Sequence, residues 1–159
     1  MSQRVDFMRQ SAGLARKLVE LDTLFLQSSI EESIRHLVMI RASQINHCAF
    51  CIDMHIKQAT VHGERPLRIH HLPVWRESTL FSARERASLE WTEVLTRLSE
   101  QGVPDDLYER VRTQFSEQEI SDLSFTIGAI NAWNRVNVGF RSIPGSQDEA
   151  FGLTASGLE

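Results

Sequence analysis

The segment Cys48-Ala49-Phe50-Cys51-Ile52-Asp53-Met54-His55 places two thiols and an imidazole at spacings of three and four. On a helix those spacings bring all three side chains to one face over two turns. Helical residues three apart have α-carbons about 5 to 6 Å apart, inside the roughly 4.4–6.8 Å range that a disulfide tolerates. A bond between Cys48 and Cys51 can therefore form and break with little backbone movement. The polar break at Asn46-His47 puts Cys48 in the first turn of a helix, where unpaired amides and the helix dipole stabilise a thiolate. A Cys-x-x-Cys thiol so placed can fall from ~8.5 to between roughly 3.5 and 7.5. His55 lies one turn beyond Cys51, placed to take its proton or to stabilise its anion. The expected chemistry is a reversible dithiol.

Two other readings fit the same residues. The cysteines can be apolar filler, or they can join His55 and a fourth ligand, His36 or His47, around zinc. A single helical face cannot wrap a tetrahedron, and the sequence offers no second Cys pair to complete one. We therefore expect neither a metal nor an organic cofactor. His47 adjoins Cys48 and either touches its thiol or points away. His62, His70 and His71 read as solvated side chains near helix-terminal carbonyls. Trp75, Trp91 and Trp133 read as core or interface fillers.

The elements that must position this cluster are helices. Ser followed three residues later by Glu is a reciprocal helix-start signature, and it occurs at Ser29 with Glu32, Ser82 with Glu85, and Ser116 with Glu119. Gly63 and Gly102 stand where helices should close. The pattern predicts helices over about 5–27, 30–45, 48–62, 64–71, 83–101, 105–115 and 117–140, with a looser segment over 72–81 interrupted by Pro73. Leu123, Ile127 and Ile130 form a core-facing stripe on the last of these. No strand-type alternation persists. The expected architecture is a single all-α helical bundle over residues 1–143, followed by a polar tail over 144–159 that is poorly ordered or packs on a partner subunit.

Composition narrows the function further. The chain has 159 residues, 42% of them apolar, and a net charge of -4 with Lys and Arg dispersed among acidic neighbours. A chain of this length can remove roughly 70% of its unfolded surface from water, enough for its own core. No basic stripe is available to follow a phosphate backbone, so nucleic acid is not an expected partner. No apolar run approaches the ~18 residues of a membrane span, and the N-terminal residues lack a signal-peptide pattern. The expected location is the cytoplasm, where two cysteines three apart suggest reactivity rather than a structural framework.

The stretch from Leu37 to His55, Leu-Val-Met-Ile-Arg-Ala-Ser-Gln-Ile-Asn-His-Cys-Ala-Phe-Cys-Ile-Asp-Met-His, resembles the core motif of the alkylhydroperoxidase D-like (AhpD-like) proteins of the carboxymuconolactone decarboxylase superfamily. Segments 82–93, 115–120 and 130–135 extend the likeness over roughly residues 30 to 144. The resemblance implies an all-helical fold assembled as trimers or hexamers. It also implies a thiol-dependent peroxidase that reduces hydrogen peroxide or small organic hydroperoxides and is reset by an external dithiol donor. It assigns attack on the peroxide to Cys51, resolution to Cys48 and proton relay to His55. The helix dipole by itself favours Cys48 as the nucleophile, so the order of the two thiols stays open. The family commonly carries a relay glutamate twelve residues before the first cysteine; here that position is His36. Glu32, one turn earlier on the same face, can substitute, or His36 can pass protons itself. The superfamily's decarboxylases lack the cysteine pair, which argues against that chemistry. A redox-responsive binding or regulatory protein with little peroxidase activity is the alternative.

Overall fold

The computed structural model describes residues 2–158. Its centre is α3 (Glu32–Ile45), nine of whose residues are buried. Leu37, Val38, Ile40 and Ala42 lose all contact with solvent, because this short helix is enclosed by α4 (Ala49–Val61), α6 (Ala83–Thr96) and α8 (Glu117–Phe140). Burying a Leu or Ile side chain contributes roughly 1.5–3 kcal/mol. Ile34 and Val38 of α3 join Trp91, Leu123 and Ile127 in one apolar cluster, which α7 (Asp105–Arg112) closes with Leu107 and Val111. Leu37 and Ile40 join Leu89 and Trp75 in a second cluster, with Ile69 of α5 (Pro66–His71) and Leu72 of the following 3-10 turn. The third cluster is small and holds both cysteines, Ala42 and Ile130. Among the described residues there is no strand, only an isolated bridge between Ser99 and Gly102. No helix there is long and apolar enough to cross a membrane.

Two of the three helix-start signatures form complete capping boxes, at Ser82 with Glu85 and at Ser116 with Glu119. The third does not. Glu31 occupies the cap position of α3, while the Ser29 amide and hydroxyl donate to Asp122 Oδ2 of α8 at 2.9 and 2.8 Å. An ionised acceptor gives the stronger bonds and draws Ser29 out of its local pairing, which leaves the Glu32 side chain free of the cap.

The helix expected over 5–27 is interrupted at Ser11, whose φ of -124° and ψ of 42° separate α1 (Phe7–Gln10) from α2 (Ala12–Phe25). α6 ends at Thr96 rather than near Gln101. Gly102, at φ +73°, serves a tight turn in which its amide donates to Ser99 O at 3.0 Å. Gly63, at φ +84°, closes α4 as its position in the sequence implied.

Residues 141–158 fold back over α4 of their own chain. Leu153 is buried in a 3-10 turn, and Asp148 takes a 2.6 Å bond from the Lys57 ammonium. Lys57 also donates to Asp53 at 3.1 Å, and Asp53 accepts the Gly145 amide at 3.0 Å. The Asp148 hydrogen bond, with Asp53 adding to it, holds the lysine pKa above its ordinary value.

Candidate active site

The dithiol sits at a corner. His47 adopts the left-handed conformation at φ +56°, its amide donates to Gln44 O at 3.2 Å, and the Cys48 amide donates to Ser43 O at 3.0 Å. That pair of bonds is a Schellman closure of α3, and it delivers Cys48 directly to the cap position of α4. Imidazole-bearing residues tolerate the left-handed region better than most. The same turn leaves His47 exposed and without a hydrogen bond to either sulfur, so it points away from the pair.

Cys48 and Cys51 are joined as a disulfide, their α-carbons 5.3 Å apart, within the range their spacing predicted. The Cys51 amide donates to Cys48 Sγ at 3.3 Å, so the sulfur itself caps the helix. Both residues are almost sealed, at 1% and 2% exposure, among Ala42, Ile130, Met39, Phe50 and Trp133.

A ladder of buried amides braces this corner from α8. Asn131, Asn134 and Asn137 recur every three residues on one side of the helix. Asn46 Nδ2, in the turn before the pair, donates to Asn131 Oδ1 and Asn134 Oδ1, both at 2.8 Å. Asn134 Nδ2 donates to Ser43 Oγ at 3.0 Å, and Ser43 Oγ donates to Met39 O at 2.7 Å. Asn137 Nδ2 reaches Cys51 Sγ at 3.7 Å and Trp133 O at 3.0 Å. The Trp133 indole in turn donates to Asp22 Oδ2 at 2.7 Å, and burial raises the Asp22 pKa to about 6 against that bond.

Toward the other end of α4 lie the histidines. His55 pairs through Nδ1 with Gln58 Oε1 at 2.7 Å rather than with a sulfur. Because the amide oxygen only accepts, Nδ1 carries the proton and Nε2 keeps its lone pair. Burial holds the His55 pKa at about 4, with the Gln58 bond acting in the opposite sense. His36, on α3, stacks on His62 with ring centroids 5.1 Å apart. It is 9% exposed, and neither ring nitrogen has a hydrogen-bond partner. Burial first, then the neighbouring His62, lowers its pKa to about 4, while Glu32 acts in the opposite sense. Glu32 Oε1 lies 3.5 Å from His62 Nε2. The structure thus unites Cys48 with Cys51, and Glu32 with His36 and His62.

The family model described as carboxymuconolactone decarboxylase matches residues 8–94, more than half of the chain. The uncharacterised protein YdfG of Bacillus subtilis is 41% identical over 138 residues, covering 87% of this chain and 94% of its own length. The chain belongs to the carboxymuconolactone decarboxylase family. Within that family it is similar to ATU0492 of Agrobacterium tumefaciens, a protein of unknown function whose suggested role is antioxidant defence as an AhpD. That crystal structure superposes with a TM-score of 0.86 at 40% identity, covering 90% of this chain and 98% of the other. An uncharacterised peroxidase-related protein from Ralstonia eutropha, described as an alkylhydroperoxidase AhpD core, shares the fold at a TM-score of 0.78 and 16% identity, covering 88% and 75% of the two chains. The fold is the all-α AhpD-like one.

Two parts of the candidate site are not legible in the sequence. The amide ladder had a visible signal, asparagine at 131, 134 and 137, but a polar stripe of that kind is equally a solvated face. His62 was read as a solvated helix-end side chain and instead stacks on His36, an arrangement made by the antiparallel meeting of α3 and α4 and invisible in local spacing.

Proposed function

We propose that the protein is a thiol-dependent peroxidase acting on hydrogen peroxide or a small organic hydroperoxide through Cys48 and Cys51. The observation that carries this reading is the pair itself, three residues apart at the start of α4 with α-carbons 5.3 Å apart. In the reduced protein, Cys51 loses its proton to a neutral imidazole. His55 is the base, since burial keeps it unprotonated at neutral pH and Nε2 has a free lone pair. The Cys51 thiolate attacks one peroxide oxygen, the O–O bond breaks, and the leaving alkoxide or hydroxide takes a proton and departs as alcohol or water. Cys51 is left as a sulfenic acid. The Cys48 thiolate, stabilised at the helix cap, attacks that sulfur and closes the disulfide, and the hydroxide expelled takes up the proton that Cys48 gave up and leaves as water. An external dithiol then reduces the pair and is itself oxidised to a disulfide. His36, with Glu32 beside it, relays the proton onward from His55.

The near-complete burial of both sulfurs supports a small oxidant. The suggested role of ATU0492 supports the same class of chemistry. A reducing cytoplasm suits a pair that must be reset. The trimer or hexamer that the family likeness implies belongs with this proposal. Leu14, Leu24, Leu26 and Phe125 are exposed apolar side chains that self-association would cover, and light scattering on the purified chain should report more than a monomer mass.

Stopped-flow peroxide consumption by the reduced protein tests the mechanism. Cys51→Ser should lose on the order of 1000-fold or more in rate. Cys48→Ser should consume one equivalent and stop at a sulfenic acid that a trapping reagent labels. Consumption that persists unchanged in Cys51→Ser would overturn the proposal.

A further inference from the structure

Outside the dithiol, the structure gathers a second set of ligating atoms. Glu32 and His36 are one turn apart on α3, and His62 caps the C-terminal end of α4. One donor atom from each lies within 4.8 Å of the other two. We propose that Glu32, His36 and His62 bind a divalent first-row transition ion, with zinc best matched to a two-histidine, one-carboxylate set.

The distances suit such an ion. Zinc bonds nitrogen and carboxylate oxygen at about 2.0–2.2 Å, so ligand atoms on a tetrahedron are separated by roughly 3.4 Å. Glu32 Oε1 and His62 Nε2 already stand 3.5 Å apart. The tautomer of His62 is fixed by its other nitrogen. Nδ1 lies 2.8 Å from Gln58 O, a carbonyl that can only accept, so Nδ1 carries a proton and Nε2 is the nitrogen left to meet Glu32 or an ion. Gln58 orients two imidazoles at once, His62 through its backbone and His55 through its side chain.

His36 supplies the independent observation. Its imidazole is more than nine-tenths buried and aimed at this cluster, yet both ring nitrogens lack a partner. Buried polar atoms in folded proteins are paired, and an exception calls for a ligand or a function. A metal ion would use the free lone pair directly. Glu32 and His62 are 48% and 46% exposed, which gives an ion a path from solvent. Arg35 also faces the cluster, 3.9 Å from Glu32 Oε1, but its guanidinium is anchored by a 2.7 Å bond to Ile30 O. Three protein ligands leave a fourth position for water or an anionic guest. Occupancy would engage the His36 lone pair that the peroxidase reading assigns to the relay, so the ion would act as a brake on that cycle.

The test uses tag-free, chelator-stripped protein in its disulfide form, which removes thiolates as ligands and needs no peroxide. Zinc titration by calorimetry should give one ion per chain. Cobalt should produce visible bands of a tetrahedral site without sulfur charge transfer. His62→Ala and His36→Phe should each weaken binding on the order of 100-fold, and Glu77→Gln, at an exposed carboxylate that is not one of the three ligands, should leave it unchanged. His62 is half-exposed, so that variant keeps its helical circular dichroism. Absence of saturable binding to the wild type, or binding that survives His62→Ala undiminished, would overturn the site and leave the peroxidase reading untouched.

Discussion

The two ends of α4 are built on different terms. At its N-terminal end the Asn46 and Asn134 amides, the Ser43 hydroxyl and the Cys48 sulfur all meet partners, and α8 supplies the brace. At its C-terminal end His36 is also buried, yet both its nitrogens go unmet. The proposed dithiol cycle needs neighbours that hold the geometry of the pair throughout. A relay or an ion site needs lone pairs left free. The contrast separates a set of polar groups that satisfy one another from one that keeps its lone pairs free.

The ladder should give the largest response. Asn134→Ala removes one of the two acceptors of the Asn46 amide together with the donor to Ser43 Oγ, and denaturant unfolding of the disulfide form should show a loss of about 2 kcal/mol. A loss below about 1 kcal/mol would mean that the N-terminal end is not the satisfied one.

Asp22 tests the same end through charge. Its folded pKa of about 6 lies above its ordinary 3.8, so the folded state holds the proton more tightly than the unfolded chain does. The favourable contribution is complete below pH 3.8 and is lost as pH rises through about 6. Asp22→Asn keeps an oxygen for the Trp133 indole and removes the charge. With its partial exposure allowed for, the variant should stabilise the protein by about 1 kcal/mol at neutral pH and have no effect below pH 3.8. Equal effects at both pH values would remove burial of the charge as the cause.

At the opposite end, His36→Phe replaces an unpaired imidazole with an apolar ring. In the presence of a chelator it should be neutral or stabilising by up to about 1 kcal/mol. Destabilisation of the size expected for Asn134→Ala would mean that His36 is satisfied after all.

Much of the dithiol was legible because its determinants are local. The spacing of Cys48 and Cys51, the Asn46-His47 break and Gly63 act within a few residues, and the structure follows them. Ser29 shows where local reasoning fails: it carries the same signature as Ser82 and Ser116, but Asp122 on α8 competes for its amide and hydroxyl. The stacking of His36 on His62 and the pairing of Lys57 with Asp148 arise when distant segments meet, and no periodicity announces them. Asparagine at 131, 134 and 137 was visible as a pattern, yet only the meeting with Asn46 and Cys51 gives it meaning.

The hydrogen bond from the Cys51 amide to the Cys48 sulfur has a thermodynamic counterpart. Reduction turns that sulfur from half of a disulfide into a thiolate, a stronger acceptor at the positive end of α4. Whatever favours the anion in the folded protein must reappear in the equilibrium between the two oxidation states. On the proposed redox reading, the cap shifts the reduction potential upward, making the oxidised pair a more willing electron acceptor. The first turn of α4 is in this sense a setting on the redox poise of the molecule as well as a piece of its architecture.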